Sequence, residues 1–373
     1  MTRRTEPRWC TNCLNMSTRP RITFDDRGWC NACQWMEEKK TLDWSARRTE
    51  LERLLERLRH TDGGFDCIVP VSGGKDGSYV SYQLKHVHGM NPLAVTVTPA
   101  LVLPLGNDNL RRFIDSGYDH VQINPNPEVM RRLNTEGFVH KGFPYYGWLI
   151  AIQAGVLRLA AKLGISLVMY GEEGETEYGG SSEFKYRATV SIDYMRKVYL
   201  EDGQDTVFAA SKLAASDLQF YTFPTIEELG GRELLIGRWS YFESWDPYRN
   251  YLVAKEHCGL YERPDTNVGT FTNFAQNDQA LYALHTYLMY LKFGFGRATQ
   301  DAGIEIRRGA MTRDQGLNLV RLYDDSFPAE HLEEYLAYYR MTLPEFEDVL
   351  ARWVNQDLFE LRDGRWRPTF TPR

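Results

Sequence analysis

The chain has 373 residues, of which 43% are hydrophobic and 25% charged, the composition of an ordinary soluble globular protein with room for one large core or two modest ones. A net charge of −6 argues against a broad basic face for nucleic acid. Residues 1–60 hold 13 Lys/Arg against 9 Asp/Glu, so the rest of the chain carries −10; the N-terminal excess reads as a solvated surface.

The opening Met1-Thr2-Arg3-Arg4 is not followed by an apolar run, so no signal peptide is expected. Residues 9–35 form a cysteine-bracketed unit: Cys10-x-x-Cys13 and Cys30-x-x-Cys33, with 16 residues between the pairs. Two residues between each pair let both sulfurs reach one ion. The spacing predicts a closed, tetrahedral four-thiolate zinc ribbon of structural rather than catalytic role. Trp44, Leu51, Leu54, Leu55 and Leu58 recur at helical spacing and predict a connecting helix, broken by Thr61-Asp62-Gly63-Gly64.

Short apolar runs then alternate with helical patterns. Strands are predicted at Cys67–Val71, Leu93–Val97, His120–Asn124 and Ser166–Tyr170, and helices at Asp76–His88, Asn107–Gly117 and Tyr146–Gly164. That alternation implies right-handed βαβ units and a parallel sheet. The most apolar stretch, Gly147–Tyr170, is interrupted by Gln153, Arg158 and Lys162, and so reads as a buried helix and strand rather than a membrane span. A cytoplasmic protein without membrane insertion is expected. After about residue 185 strand signals fade. Leu281, Leu284, Leu288 and Leu291 stripe one helix, and capping boxes stand at Thr312–Gln315 and Thr342–Glu345. The expected organisation is a zinc ribbon over 1–40, a connecting helix over 41–62, an α/β domain over 63–185 and a mostly helical closing region over 186–373.

The chemistry concentrates in Val69-Pro70-Val71-Ser72-Gly73-Gly74-Lys75-Asp76-Gly77-Ser78, where a strand runs into a glycine turn that opens a helix. Glycines let backbone approach phosphate oxygens, and a helix N-terminus offers unpaired N–H groups. Ser72 and Ser78 can donate hydroxyl hydrogen bonds, Lys75 can neutralise phosphate, and Asp76 can hold Mg²⁺. The GxxxxGK[ST] loop of ordinary NTPases is absent from the sequence. Glu172 and Glu173 follow the fourth strand, where ligands of open α/β sheets gather, and are candidates for Mg²⁺ or for orienting substrate; Glu175 and Glu177 are weaker ones. Thr98, after the second strand, is a candidate adenosine contact. Asp246, before Pro247, reads equally as a helix cap. His140, Lys141, Tyr145 and Tyr146 lead into the long helix, where cap and core roles are commoner than a sugar site.

The loop resembles the SGGxDS signature of the PP-loop ATP pyrophosphatases (an adenine nucleotide alpha hydrolase-like fold), with Gly77 where the signature has Ser and Ser78 following. Nearly end to end, the chain is similar to the N-acetyl sugar amidotransferases of lipopolysaccharide and O-antigen biosynthesis. The resemblance rests on the ribbon, Val71–Asp76, Tyr170-Gly171-Glu172-Glu173-Gly174-Glu175, Trp245-Asp246-Pro247, Glu262-Arg263-Pro264 and Lys292-Phe293-Gly294-Phe295-Gly296-Arg297-Ala298-Thr299. It implies an ATP- and Mg²⁺-dependent enzyme acting on a nucleotide-activated diacetamido sugar. The acetamido oxygen would be adenylylated with release of pyrophosphate, and ammonia would then displace AMP to leave an acetamidino group. Lys75, Asp76, Glu173 and Arg297 become candidate catalytic residues, and Ser72, Gly73, Gly74, Lys75, Asp76, Ser78, Thr98, Gly171 and Glu172 candidate ATP contacts. Lys292 is a weaker candidate on the Arg297 segment.

A glutaminase centre is hard to build from this chain. It does not begin with Cys; Cys67 is expected to be packed behind the loop; and Cys258 follows His257 on a helix, where sequence neighbours do not face each other. A separate glutaminase partner is therefore expected. Two other readings are a tRNA thiolation enzyme, disfavoured by the acidic body and by the lack of a further CxxC, and a non-catalytic subunit, disfavoured by the presence of Ser72, Lys75 and Asp76.

Overall fold

The computed structural model describes residues 6–373; Met1–Arg4, read above for a targeting signal, lie outside them. The N-terminal unit carries α1 (Asn31–Glu38) and is followed by α2 (Trp44–Leu58), which Asp43 caps by accepting from Ala46 N at 2.9 Å. Then come β1 (Cys67–Pro70), α3 (Lys75–Tyr82, extended by a π-helical turn to Val87), β2 (Pro92–Val97), α4 (Pro104–Asp115), β3 (His120–Ile123), α5 (Pro127–Lys141), α6 (Tyr146–Leu163) and β4 (Leu167–Tyr170). The short elements α7 (Gly174–Tyr178), β5 (Thr189–Val190), α8 (Ile192–Tyr194), α9 (Asp205–Ser211), α10 (Ile226–Leu229), β6 (Leu235–Arg238) and α11 (Trp239–Phe242) lead to α12 (Pro247–Cys258). The C-terminal region holds α13 (Leu281–Phe293), α14 (Arg297–Arg308), α15 (Arg313–Tyr323), α16 (Leu332–Tyr339), α17 (Leu343–Trp353) and the hairpin β7 (Phe359–Arg362)–β8 (Arg365–Pro368).

The main sheet has the order β3-β2-β1-β4-β6-β5, parallel except for antiparallel β5 at one edge. Successive strand residues serve opposite faces. Ile68 and Val168 point to a core shared with α5, α6, α13, α16 and α17, where Leu281, Leu284, Leu288 and Leu291 are all buried. Cys67, Val69, Leu167 and Met169 point to the other core, closed by α2, α3, α4, α11 and α12. The fold is the expected α/β class, with a mostly parallel central sheet, an N-terminal four-cysteine unit and a mostly helical C-terminal region.

Two expectations need correction. Strands do not fade after residue 185, because β6 pairs with β4 in the middle of the sheet (Val168↔Ile236) and β5 adds to it. The boundary drawn at 185 therefore cuts across the sheet. β6 is four residues long and contains Gly237, which is why periodicity did not reveal it. The sequence reading also left out α5, although Asn126, Pro127 and Gly142 supply its cap, its first turn and its left-handed stop (φ 59°).

Candidate functional site

The loop after β1 is shaped by close approach. Gly73 has φ 76°, and a Cβ there would lie 2.3 Å from Leu110 N on α4. Gly74 caps α3 without a side-chain hydrogen bond, so the first-turn amides of α3 stay open to an anion. Lys75 pairs with Asp76, whose Oδ1 also accepts from Asn250 Nδ2 at 3.1 Å. Asn250 is fully buried on α12 and orients Asp76 from 174 residues away. A Cβ on Gly77 would meet Pro70 O at 2.7 Å and Val71 Cα at 3.1 Å, so this backbone has no room for the signature's Ser. Ser78 does not take over that contact. Its hydroxyl is buried with no hydrogen-bond partner among the described residues, outside the cavity wall, while its carbonyl accepts the Cys258 thiol at 3.8 Å.

A cavity of about 380 Å³ opens at the carboxyl ends of β1, β2 and β4. It brings together the expected Ser72, Gly74, Lys75, Asp76, Thr98, Glu172 and Arg297. Thr98 donates to Asn124 Oδ1 at 2.5 Å. Burial and the neighbouring negative charge of Asp76 push the Glu172 carboxyl up, and Tyr178 donates to its Oε1 at 3.2 Å. Two carboxylates held together in this way fit a divalent cation, whose charge would relieve their repulsion. Arg297 begins α14 on the opposite wall. Its Nε contacts Asp301 Oδ1 at 2.8 Å, and Asp301 Oδ2 accepts from Thr270 (2.6 Å) and Thr272 (3.0 Å), so the guanidinium is held in place.

The remaining candidates serve the frame. Gly73 turns the loop without lining the cavity, and Gly171 is covered by the Trp245 ring. Glu173, expected to be catalytic, faces away: its Oε2 caps α7 through Thr176 N (2.8 Å), and its Oε1 accepts from Tyr194 and Tyr199. Glu175 takes a bidentate Arg21 at 2.7 and 2.8 Å, and Glu177 takes Lys39 (2.6 Å) and Trp35 Nε1 (2.9 Å). Both carboxylates therefore clamp the cysteine unit to α7. Lys292 donates to Lys141 O at the end of α5 (3.1 Å). Lys141 and Tyr146 bind the backbone of the 200–203 turn, and His140 pairs with Glu136. Asp246 caps α12 through Tyr248 N and Arg249 N.

Cys10, Cys13, Cys30 and Cys33 are buried, with their sulfurs within 4.8 Å of one another and three pairs at 3.6–3.7 Å. A tetrahedron with Zn–S of about 2.3 Å has edges of about 3.8 Å. Cys30 N donates to Cys10 Sγ at 3.2 Å, and Asn12 and Asn15 side chains donate to Cys33 and Cys30 at 3.3 and 3.4 Å. Such donors suit thiolates more than thiols. The four residues fit a structural zinc ion.

Residues 268–371 match the family model described as LPS biosynthesis protein WbpG-like, C-terminal domain. The match covers the C-terminal part of the chain, from the segment before α13 to the β7–β8 hairpin. Comparison with curated proteins gives no match. A solved structure described as a predicted subunit of tRNA methyltransferase from Methanocaldococcus jannaschii is similar over 60% of this chain and 85% of its own, with 13% identity and a TM-score of 0.26. A likeness that low carries no weight for fold or function. The WbpG-like domain supplies the cavity wall opposite the loop, including Gln276, Asp278, Tyr282 and Arg297. Of these, only Arg297 was singled out from the sequence. The available signal was the uncompensated polar run Gln276-Asn277-Asp278-Gln279 just ahead of the apolar stripe of α13. No helix among the described residues is long and apolar enough to cross a membrane.

Proposed function

We propose that the chain is an ATP-dependent, AMP- and pyrophosphate-forming amidotransferase, acting in the cytoplasm, that converts an acetamido group of a nucleotide-activated diacetamido sugar to acetamidino. The observation that carries this reading is the cavity itself: the loop of the PP-loop domain faces Arg297 of the WbpG-like domain, with Asp76 and Glu172 between them. Ser72 and the open amides of α3 receive the departing pyrophosphate, and Lys75 and Arg297 offset its charge. Thr98 contacts the adenosine. Asp76 and Glu172 would hold Mg²⁺, which supplies further charge neutralisation on the phosphates. The acetamido oxygen attacks the α-phosphate, giving an O-adenylyl imidate, and ammonia displaces AMP from its carbon. An amide is a poor electrophile, and adenylylation gives it a good leaving group.

Ammonia comes from a separate glutaminase subunit. Cys67 and Cys258 are both buried, and burial pushes both thiols up, Cys258 to about 11, away from nucleophilic use. His257 stacks on Tyr82 at 4.3 Å rather than serving Cys258. The same buried thiols favour amidation over sulfur transfer.

The test incubates the chain with ATP, Mg²⁺ and ammonium across UDP-linked diacetamido uronic acids and diacetamido nonulosonic acids. AMP formed one-for-one with a sugar whose mass changes by exchange of O for NH is the expected result. AMP formed only with tRNA and a sulfur donor overturns the proposal.

A further inference from the structure

The wall opposite the loop holds a carboxylate, Asp278, with one oxygen left over. The segment 276–280 is fixed by Asp278 O accepting from Leu103 N (3.0 Å) and by Ala280 N donating to Leu101 O (2.9 Å). Gln276 adopts a left-handed φ of 57°, a conformation that costs a non-glycine residue about 1 kcal/mol or more and that clusters at functional sites. Asp278 lines the cavity, and its Oδ2 is buried with no hydrogen-bond partner among the described residues.

The other carboxylates nearby are engaged. Asp76 is tied to Lys75 and Asn250, Glu172 to Tyr178, and Asp301 to Arg297 and two threonines. Among the described residues no cation is in contact with Asp278. Tyr282 of α13 lies beside it, Tyr145 at the start of α6 is near, α4 presents only backbone at Gly106, and Arg297 lines the same cavity. Burial pushes its carboxyl up to about 7, where a carboxylate is a useful proton acceptor at neutral pH.

Resting on the amidotransferase reading, we propose that Asp278 is the base of the ammonia step. The imidate nitrogen keeps the proton of the original amide; the ammonia nitrogen forms a bond to the imidate carbon as the C=N π pair moves onto that nitrogen, and becomes an ammonium. Asp278 removes one of its protons, and the C–O bond to AMP then breaks with its electron pair leaving on AMP. The product is the acetamidinium, and Asp278 returns its proton to solvent. Without the base the nitrogen stays an ammonium, which has no lone pair to help expel AMP and can leave again as ammonia; losing one proton removes both obstacles.

The two halves of the reaction separate experimentally. With a UDP-linked diacetamido uronic acid as first probe, sugar-dependent exchange of labelled pyrophosphate into ATP reads adenylylation, and product mass reads the ammonia step. For D278N, exchange within about threefold of wild type and amidine formation lowered by about 10²–10⁴-fold is expected. D278E should restore part of the loss, and the rise of the wild-type ammonia-step rate toward pH 7 should disappear in D278N. Retained exchange also shows that the variant is folded. D278N forming amidine at the wild-type rate, or losing exchange together with amidine, overturns the proposal. Absence of sugar-dependent exchange in the wild-type chain across the whole panel instead removes the amidotransferase reading, and this inference with it.

Discussion

Asp278 can be tested without any substrate, because its environment links proton binding to folding. In the folded chain burial holds its carboxyl up to about 7, against about 3.9 in an unfolded chain. Below the unfolded value both states are protonated. As pH rises from there through the folded value, the unfolded chain has already lost the proton that the folded chain retains. The stability present at low pH is therefore lost across about pH 4–7 and stays lost above it. Three pKa units correspond to about 4 kcal/mol. The carboxyl fronts a cavity open to solvent, so about half of that, ~2 kcal/mol, is the working figure. An asparagine does not titrate. About a third of the loss lies below pH 5, so D278N should gain on the wild type by ~1.3 kcal/mol between pH 5 and pH 8.5, a difference in melting temperature of about a degree or two for a chain of this size. Scanning calorimetry of both proteins at the two pH values measures it. Any pH-independent cost of the amide cancels in the comparison. A melting-temperature difference that is the same at pH 5 and pH 8.5, or larger at pH 5, refutes the reasoning.

Three other perturbations have definite outcomes. The Lys39–Glu177 pair is nearly inaccessible, with side chains 3% and 8% exposed, so E177L should cost about 3–5 kcal/mol by stranding the ammonium, while K39M/E177L should recover most of it; a denaturant double-mutant cycle without coupling would count against the clamp. Stripping the four-cysteine unit with a chelator should release one zinc per chain, measured by a colorimetric zinc assay, and should depress pyrophosphate exchange, because Asn15 Nδ2 and Asn31 Nδ2 hold Tyr178 O and Gly180 O at 3.0 and 2.5 Å; exchange unaffected by complete metal loss would separate ribbon from site. Restoring the signature serine with G77S should destabilise the loop by about 1–3 kcal/mol and raise the KM for ATP, since its Cβ meets Pro70 O; a variant with wild-type KM and stability would mean that the loop shifts freely.

What the sequence disclosed was local. Two residues between thiols, or a strand feeding Ser-Gly-Gly into a helix, constrain geometry over a few ångströms whatever the rest of the chain does. The four-cysteine cluster, the glycine turn between β1 and α3, and β1–β4 were legible for that reason. What it hid depends on contacts between distant segments. Asn250 is an unremarked helical residue until α12 packs on α3 and brings its amide to Asp76. β6 carries too few residues for periodicity and is a strand only because β4 offers it a parallel partner. Glu172 and Glu173 are the same residue type one position apart. Ser240, Tyr194 and Tyr199, from segments after residue 190, decide which one turns inward.

The run Glu172–Glu177 shows how one acidic stretch divides its labour. Glu172 faces the cavity, Glu173 caps the helix that follows, and Glu175 and Glu177 take Arg21 and Lys39. A five-residue helix is far too short to hold its shape alone, since nucleation is costly and few hydrogen bonds repay it. α7 therefore persists because one end is capped by Glu173 and its body is clamped by the cysteine unit. Tyr178, its last residue, carries that rigidity to the cavity by donating to Glu172. A four-cysteine unit placed far from the loop in sequence thus acts on the position of a carboxylate beside Asp76. Without the cysteine unit, the Asp76–Glu172 pair would lose one of its two supports, Tyr178 on Glu172, and keep only Asn250 on Asp76.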